Sequence, residues 1–163
     1  MNNSMIIGVI GGSSCSQRSR ALAEEVGREI ARRGHALICG GLGGVMQAAC
    51  KGAKSAGGVT IGILPMSRIE DANSYVDYPI ATGMGLARNI IIVHTASAVI
   101  AVNGKYGTLS EIAYASQLDV PLVGLSTWKV NPRMVHARGP KEAVDKAIEL
   151  AEERGRREPR GKA

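Results

Sequence analysis

The sequence predicts an α/β fold, a Rossmann-like three-layer α/β/α domain with a mostly parallel sheet. Short apolar runs alternate with segments of helical periodicity, the pattern of strands joined by crossover helices. Several of those runs, such as residues 59–64, are apolar throughout, as in strands covered on both faces. The 21 glycines, well above the usual share of about 7%, gather where runs end and helices begin. A chain of 163 residues encloses one core and is too short for two ordinary domains. One nucleotide-binding domain is expected over 1–153, followed by a basic, disordered tail over 154–163.

The elements follow in order. Met5 to Ile10 is the first strand, ended by Gly11, Gly12, Ser13 and Ser14. From about Arg18 to Arg33, Leu22, Val26 and Ile30 recur at helical spacing, with Glu24 to Arg28 and Glu29 to Arg33 as supporting charge pairs, and Gly34 stops the helix. His35 to Cys39 is a second strand. Gly40, Gly41, Gly43 and Gly44 then open a helix of small residues that runs to Ala56. Val59 to Leu64 is a strand ended by Pro65, and Met66 to Asp77 is a loop. Tyr78 to Thr82 reads as a strand, Gly85 to His94 as a helix, Ser97 to Val102 as a buried strand, Tyr106 to Gln117 as a helix and Val120 to Leu125 as a strand. Ser126 to Gly139 has no clear period; its Trp128 reads as a packing anchor or an oligomer contact rather than a substrate stacker. Pro140 suits the first position of a last helix, to about Glu153, whose apolar side is Ala143, Ile148 and Leu150.

Composition narrows the function classes. The net charge is +6, yet the last ten residues hold five basic side chains against Glu158 and so account for four of those charges. A body near +2, with no aromatic residues interleaved among basic ones, argues against nucleic acid as a partner. No run is long enough to cross a bilayer and the start lacks a basic region, so no membrane partner and a cytoplasmic location are expected. Cys15, Cys39 and Cys50 fit neither CxxC nor zinc spacing, which predicts reduced thiols and no metal. His35, His94 and His136 show no ligand spacing either.

The glycines carry the functional signal. A helix that starts directly after a buried strand presents unpaired N–H groups and a positive dipole end, and glycine lets an anion approach that backbone. Three junctions have this pattern: Gly11-Gly12-Ser13-Ser14, Gly40-Gly41-Leu42-Gly43-Gly44 and Asn103-Gly104-Lys105-Tyr106-Gly107-Thr108. All follow strands, and ligands of open parallel sheets collect at the carboxyl ends of strands. The candidate ligand residues are Gly12, Ser13, Ser14, Gly40, Gly41, Gly43, Gly44, Met46, Asn103, Gly104, Lys105, Tyr106, Gly107 and Thr108. Ser13 and Ser14 either line the pocket or cap the first helix; Thr108 is also open to an N-cap role. No GxxxxGK[ST] and no GxGxxG occur, and the second strand ends in Cys39-Gly40 without the acid that holds a ribose, so NAD and FAD are disfavoured.

The run Gly40-Gly41-Leu42-Gly43-Gly44-Val45-Met46, followed by Gly52-Ala53-Lys54 and by GGVTIGILP at 57–65, closely resembles the molybdenum-cofactor carrier proteins and their bacterial and archaeal relatives. More distantly the chain is similar to the LOG family, cytokinin-activating phosphoribohydrolases often mislabelled lysine decarboxylases. Their signature PGGxGTxxE looks like Asn103-Gly104-Lys105-Tyr106-Gly107-Thr108-Leu109-Ser110-Glu111, with Asn103 in place of proline and Lys105 in place of glycine. The resemblance spans Met5 to about Leu125. It implies binding of a phosphorylated ligand, an AMP-like nucleotide or the molybdenum cofactor, with no cofactor required for chemistry, and a homo-oligomer, dimer or tetramer, for which the small residues of 44–56 permit close helix contacts.

The LOG resemblance also nominates Arg88 and Glu111 as a catalytic pair for N-glycosidic cleavage of a nucleoside 5'-monophosphate. Glu111 would stabilise the oxocarbenium charge or assist water, and Arg88 would orient the phosphate or the glutamate. A plain salt bridge between helices would use the same two residues. A nucleotide sensor without turnover is a third reading of the same pocket. Lys105 either meets the anion or lies in solvent. No pyridoxal-phosphate constellation supports a lysine decarboxylase.

Overall fold

The computed structural model describes residues 4–157. Seven strands form one parallel sheet in the order β4-β3-β2-β1-β5-β6-β7. They are β1 (Ile6–Ile10), β2 (Ala36–Cys39), β3 (Thr60–Leu64), β4 (Tyr78–Ala81), β5 (Ala98–Val102), β6 (Leu122–Leu125) and β7 (Val135–His136). The helices are α1 (Gln17–Arg32), α2 (Gly44–Ser55), α3 (Asn89–Thr95), α4 (Tyr106–Gln117) and α5 (Pro140–Arg157). The chain adds β2, β3 and β4 on one side of β1, then returns through α3 to place β5 on the other side. Strand order therefore reverses between β1 and β5, and at such a reversal the ligands of open parallel sheets collect beyond the carboxyl ends of the strands.

The strand period of two sorts the core into two layers. Ile7, Val9, Leu37, Cys39, Ile100 and Val102 point to the side covered by α1, α2 and α5. Ile10, Ile38, Ile63, Val99 and Ala101 point to the side covered by α3 and α4. Helices α1 and α2 touch backbone to backbone. A methyl group on Gly27 would stand 2.7 Å from the carbonyl carbon of Ala49, and one on Gly52 would stand 2.7 Å from that of Glu24. The small residues of α2 thus pack against α1 of the same chain, which corrects their expected use in contacts between copies.

Several boundaries differ from expectation. Helix α1 starts at Gln17 because Ser16, not Ser13 or Ser14, is its N-cap, with Oγ accepting the Ser19 amide at 3.2 Å. Ser16→Ala is therefore expected to cost about 1 kcal/mol of stability, read as a lower urea midpoint with an unchanged slope. The 66–77 loop contains a 3-10 turn at Ile69–Asp71, and the helix expected from Gly85 opens as a 3-10 turn, Gly85–Arg88, before α3. The aperiodic 126–139 segment yields β7, a two-residue strand too short for a period, seated where Gly124 lets His136 approach. Trp128 stays 39% exposed and is not a core anchor of this chain. Helix α5 runs to Arg157, four residues past the expected end. Basic Arg154, Arg156 and Arg157 suit its negative C-terminal dipole, and Glu153 pairs with Arg157 at 3.7 Å. The rest of the expected tail, 158–163, lies outside the described residues. Among the described residues no helix is long and apolar enough to cross a membrane.

Candidate functional site

The three glycine-rich turns follow β2, β1 and β5, which are adjacent strands of a parallel sheet, so the turns share one edge of the molecule. The first two interlock. The Val45 amide donates to Gly12 O at 3.0 Å, and Gly44, at φ +61, lies so close to Ser13 that a Cβ would stand 2.5 Å from its carbonyl carbon. Here glycine is required by both conformation and space. The third turn reaches the first through Lys105 Nζ, 3.5 Å from Ser14 Oγ. The lysine that departs from the signature thus links the third turn to the first.

The turns differ in what they leave unpaired. Helix α1 is capped by Ser16, so the first junction presents no free helix end, a correction to the expectation that all three junctions do. Helices α2 and α4 begin at Gly43 and Lys105 with no side chain capping either. Thr108 is therefore not an N-cap; it is buried against Gly104, where a Cβ would stand 2.5 Å from its own. Around the place of a Cβ on Gly107 there is no atom within 4 Å from outside its own helix backbone and chain neighbours, which leaves this face of the first turn of α4 open. Ser13, Ser14 and Tyr106 are exposed at this edge, whereas Met46 is buried, with its Sδ 2.7 Å from the place of a Cβ on Gly40.

Asn103 explains its own departure from the signature. Its φ is +51, which proline cannot adopt and asparagine tolerates. Asn103 Nδ2 donates to Ser19 Oγ at 3.0 Å, and Thr127 Oγ1 donates to Asn103 O at 2.5 Å, so the third turn is tied to α1 and to the end of β6.

Beneath the turns sits Arg88, 6% exposed. Its Nη2 lies 3.5 Å from Gly40 O, and the absent Cβ of Gly40 is what makes room, since that atom would stand 2.5 Å from Nη2. Arg88 Nε is buried with no hydrogen-bond partner. Burial pulls the guanidinium below its usual pKa, against the charges of Glu111 and Cys39. Glu111 is also buried, and burial pushes its carboxyl up to about 8 despite Arg88. The two are electrostatically coupled, but the expected alternative of a direct salt bridge is not formed: no ion pair joins them among the described residues.

Two residues in this region were missed by sequence reasoning. Asn73, in the long loop, donates through Nδ2 to Gly41 O at 3.2 Å and Leu42 O at 2.9 Å and so holds the second turn. Asn89 donates through Nδ2 to Ser110 Oγ at 3.1 Å and keeps Oδ1 buried and unpartnered. Neither stands in a recognisable motif, and both act through contacts distant in sequence. Among the described residues no three His, Cys, Asp or Glu side chains gather as a metal site.

Residues 4–153 match the sequence pattern of the SLOG cluster4 family. The chain is 47% identical over 144 residues to a protein of Archaeoglobus fulgidus, a match covering 88% of this chain and 95% of that one. The solved structure of the molybdenum cofactor binding protein from the phototrophic bacterium Rippkaea orientalis is similar with a TM-score of 0.83 and 35% identity, covering 93% of this chain and 97% of that one. A cytokinin riboside 5'-monophosphate phosphoribohydrolase of Mycobacterium tuberculosis is 35% identical over 117 residues, 66% of this chain and 62% of that enzyme. That match leaves more than a third of the enzyme's length uncovered.

Proposed function

The chain belongs to the SLOG cluster4 family, and on that premise we propose that it binds a small phosphorylated ligand, a nucleotide or pterin-type cofactor, across the carboxyl ends of β2, β1 and β5. The observation that carries the reading is Arg88: a buried cation with an unpartnered Nε, whose acidic neighbour Glu111 holds its proton at neutral pH. An unbalanced buried charge is costly, and an anion in the crevice would relieve it. The donor set fits a phosphate. The start of α2 outside the Val45 amide, the first turn of α4, Lys105 beside Ser14 and Arg88 below are all positive or N–H groups. In a carrier role the molybdenum cofactor is cargo, held by its phosphate at Gly43, Gly44, Gly107 and Thr108, with Gly12, Ser13 and Ser14 as the facing wall. The likeness to the R. orientalis protein supports this role.

A second reading has its own support. Glu111, protonated up to about pH 8, is suited to give its proton to the departing base when water adds to the ribose carbon and the N-glycosidic bond of a nucleoside 5'-monophosphate breaks. That role differs from the ionised carboxylate implied by the resemblance. The likeness to the M. tuberculosis enzyme supports it over part of the chain. For assembly into a homo-oligomer, the support comes from the exposed apolar Tyr78, Ile80 and Leu86 on and after β4.

Calorimetric titration with AMP tests the shared premise. Arg88→Met keeps an unbranched apolar stem and removes the charged guanidinium, and is expected to weaken AMP about a hundredfold without lowering thermal stability. Equal affinity in the variant would remove the proposed anion site. Incubation with AMP then separates the readings: persistence of AMP favours the carrier, while release of adenine and ribose 5-phosphate favours the hydrolase.

A further inference from the structure

Two cysteines lie directly under the second glycine turn. Cys39 is the last residue of β2 and Cys50 sits midway along α2; both are fully buried, and their sulfurs are 3.5 Å apart. The segment between them contains Gly40, Gly41, Gly43 and Gly44, so a bond joining them would close a ring around the turn that the proposed function assigns to phosphate. We propose that Cys39 and Cys50 are an oxidation site: hydrogen peroxide converts them to a disulfide that reshapes the glycine turn and weakens the ligand.

The surroundings favour Cys39 as the reacting thiol. The Gly41 amide donates to its Sγ at 3.3 Å. The hydrogen bond from Cys50, that amide and the nearby Arg88 charge all favour its thiolate over the opposition of burial, while Cys50 is held firmly as the neutral thiol by Cys39 and burial. The Cys39 sulfur attacks one peroxide oxygen; the O–O bond breaks, hydroxide leaves, and a sulfenic acid forms. The Cys50 sulfur then displaces hydroxide from that sulfenic sulfur and the S–S bond forms. The two thiol protons convert both hydroxides to water, so two thiols lose two electrons and the peroxide gains them. Peroxide is small; the glycines over Cys39 are closely packed, so it enters when the turn opens locally.

Closing the sulfurs from 3.5 Å to a bond of about 2 Å draws α2 toward β2. The first turn of α2 moves with it, and the Gly41 amide loses its sulfur acceptor. Displacements of this order at a binding turn cost about tenfold or more. The link to affinity rests on the phosphate reading; the disulfide itself does not.

The experiment uses the full chain with Cys15→Ser, which removes the one partly exposed thiol and lies outside the proposed site. The folded protein is treated with hydrogen peroxide, alkylated and digested with trypsin; cleavage after Arg33 and Lys51 releases both cysteines in one peptide, 34–51. The expected result is a peptide lighter by two hydrogens that takes no alkyl group, formed by the native protein before any unfolding, with AMP affinity about tenfold lower and restored by a dithiol. Oxygen added at Met46 is distinguished by its mass. A peptide that keeps two alkylatable thiols overturns the proposal. A disulfide with unchanged AMP affinity overturns its coupling to the turn. If the reduced protein binds no AMP while the disulfide forms, the phosphate reading fails and the oxidation site stands.

Discussion

Glu111→Gln should make the ligand-free protein more stable at pH 7.5 and abolish any turnover of AMP. In the folded protein the Glu111 carboxyl titrates near 8, against 4.5 for an ordinary glutamate. Its folded-state pKa is raised, so the folded state holds a proton that the unfolded chain releases between those values. The group's contribution to stability is complete below pH 4.5 and is lost as pH rises toward 8, at about 1.4 kcal/mol per pH unit. Glutamine keeps the shape and neutrality of the protonated acid and does not titrate. At pH 7.5 it should add about 2–4 kcal/mol, or roughly 5–10 °C in melting temperature. At pH 4.5 the two proteins should melt together. Thermal scans of both across this range check the claim, and parallel curves would contradict it. Glutamine cannot supply the proton to a leaving base, so the hydrolase reading requires its AMP turnover to fall at least a hundredfold with binding retained. Under the carrier reading only stability changes.

Gly52→Ala and Gly27→Ala should each destabilise the protein by about 3 kcal/mol or more. Helix propensity alone predicts the reverse, since alanine favours a helix over glycine by about 1 kcal/mol. The crossing of α1 and α2 decides the sign. A Cβ on Gly52 would overlap the carbonyl oxygen of Glu24 and stand 3.0 Å from the Arg28 amide nitrogen; a Cβ on Gly27 would overlap the carbonyl oxygen of Ala49. These are backbone atoms, so no rotamer change relieves the overlap and the helices must separate. Separation loosens the buried layer of Val26, Ile30, Ala49 and Ala53. One separation relieves both clashes, so the double variant should cost less than the two single effects added. Urea unfolding of the three variants measures this. A midpoint at or above the wild type in Gly52→Ala would show that the helices are not held at this distance. Because α2 begins in the second glycine turn, the same variants should also weaken AMP.

Much of the architecture is local in origin and was legible for that reason. The apolar runs that became β1, β3, β5 and β6 and the periodic stripe of α1 carry their structure in their own side chains. The glycine turns were found because glycine followed by a helix has a local meaning. Elements such as β7 and the 3-10 turn before α3 exist only through pairing or packing with distant residues, and no period marks them.

Within the candidate site the division is the same. Sequence by itself determined a parallel α/β domain and the glycine turns after its strands, because each rests on residue type and spacing along the chain, while Arg88 and Glu111 were nominated by the resemblance to the LOG signature. Tertiary structure alone decided that Ser16 takes the α1 cap, that Asn73 holds the second turn, that Arg88 lies under Gly40 without a salt bridge, and that Cys39 meets Cys50. Burial and distance between segments set those outcomes. They depend on how helices and strands stack, and one-dimensional order does not contain the desolvation that leaves Arg88 unpaired and Glu111 protonated.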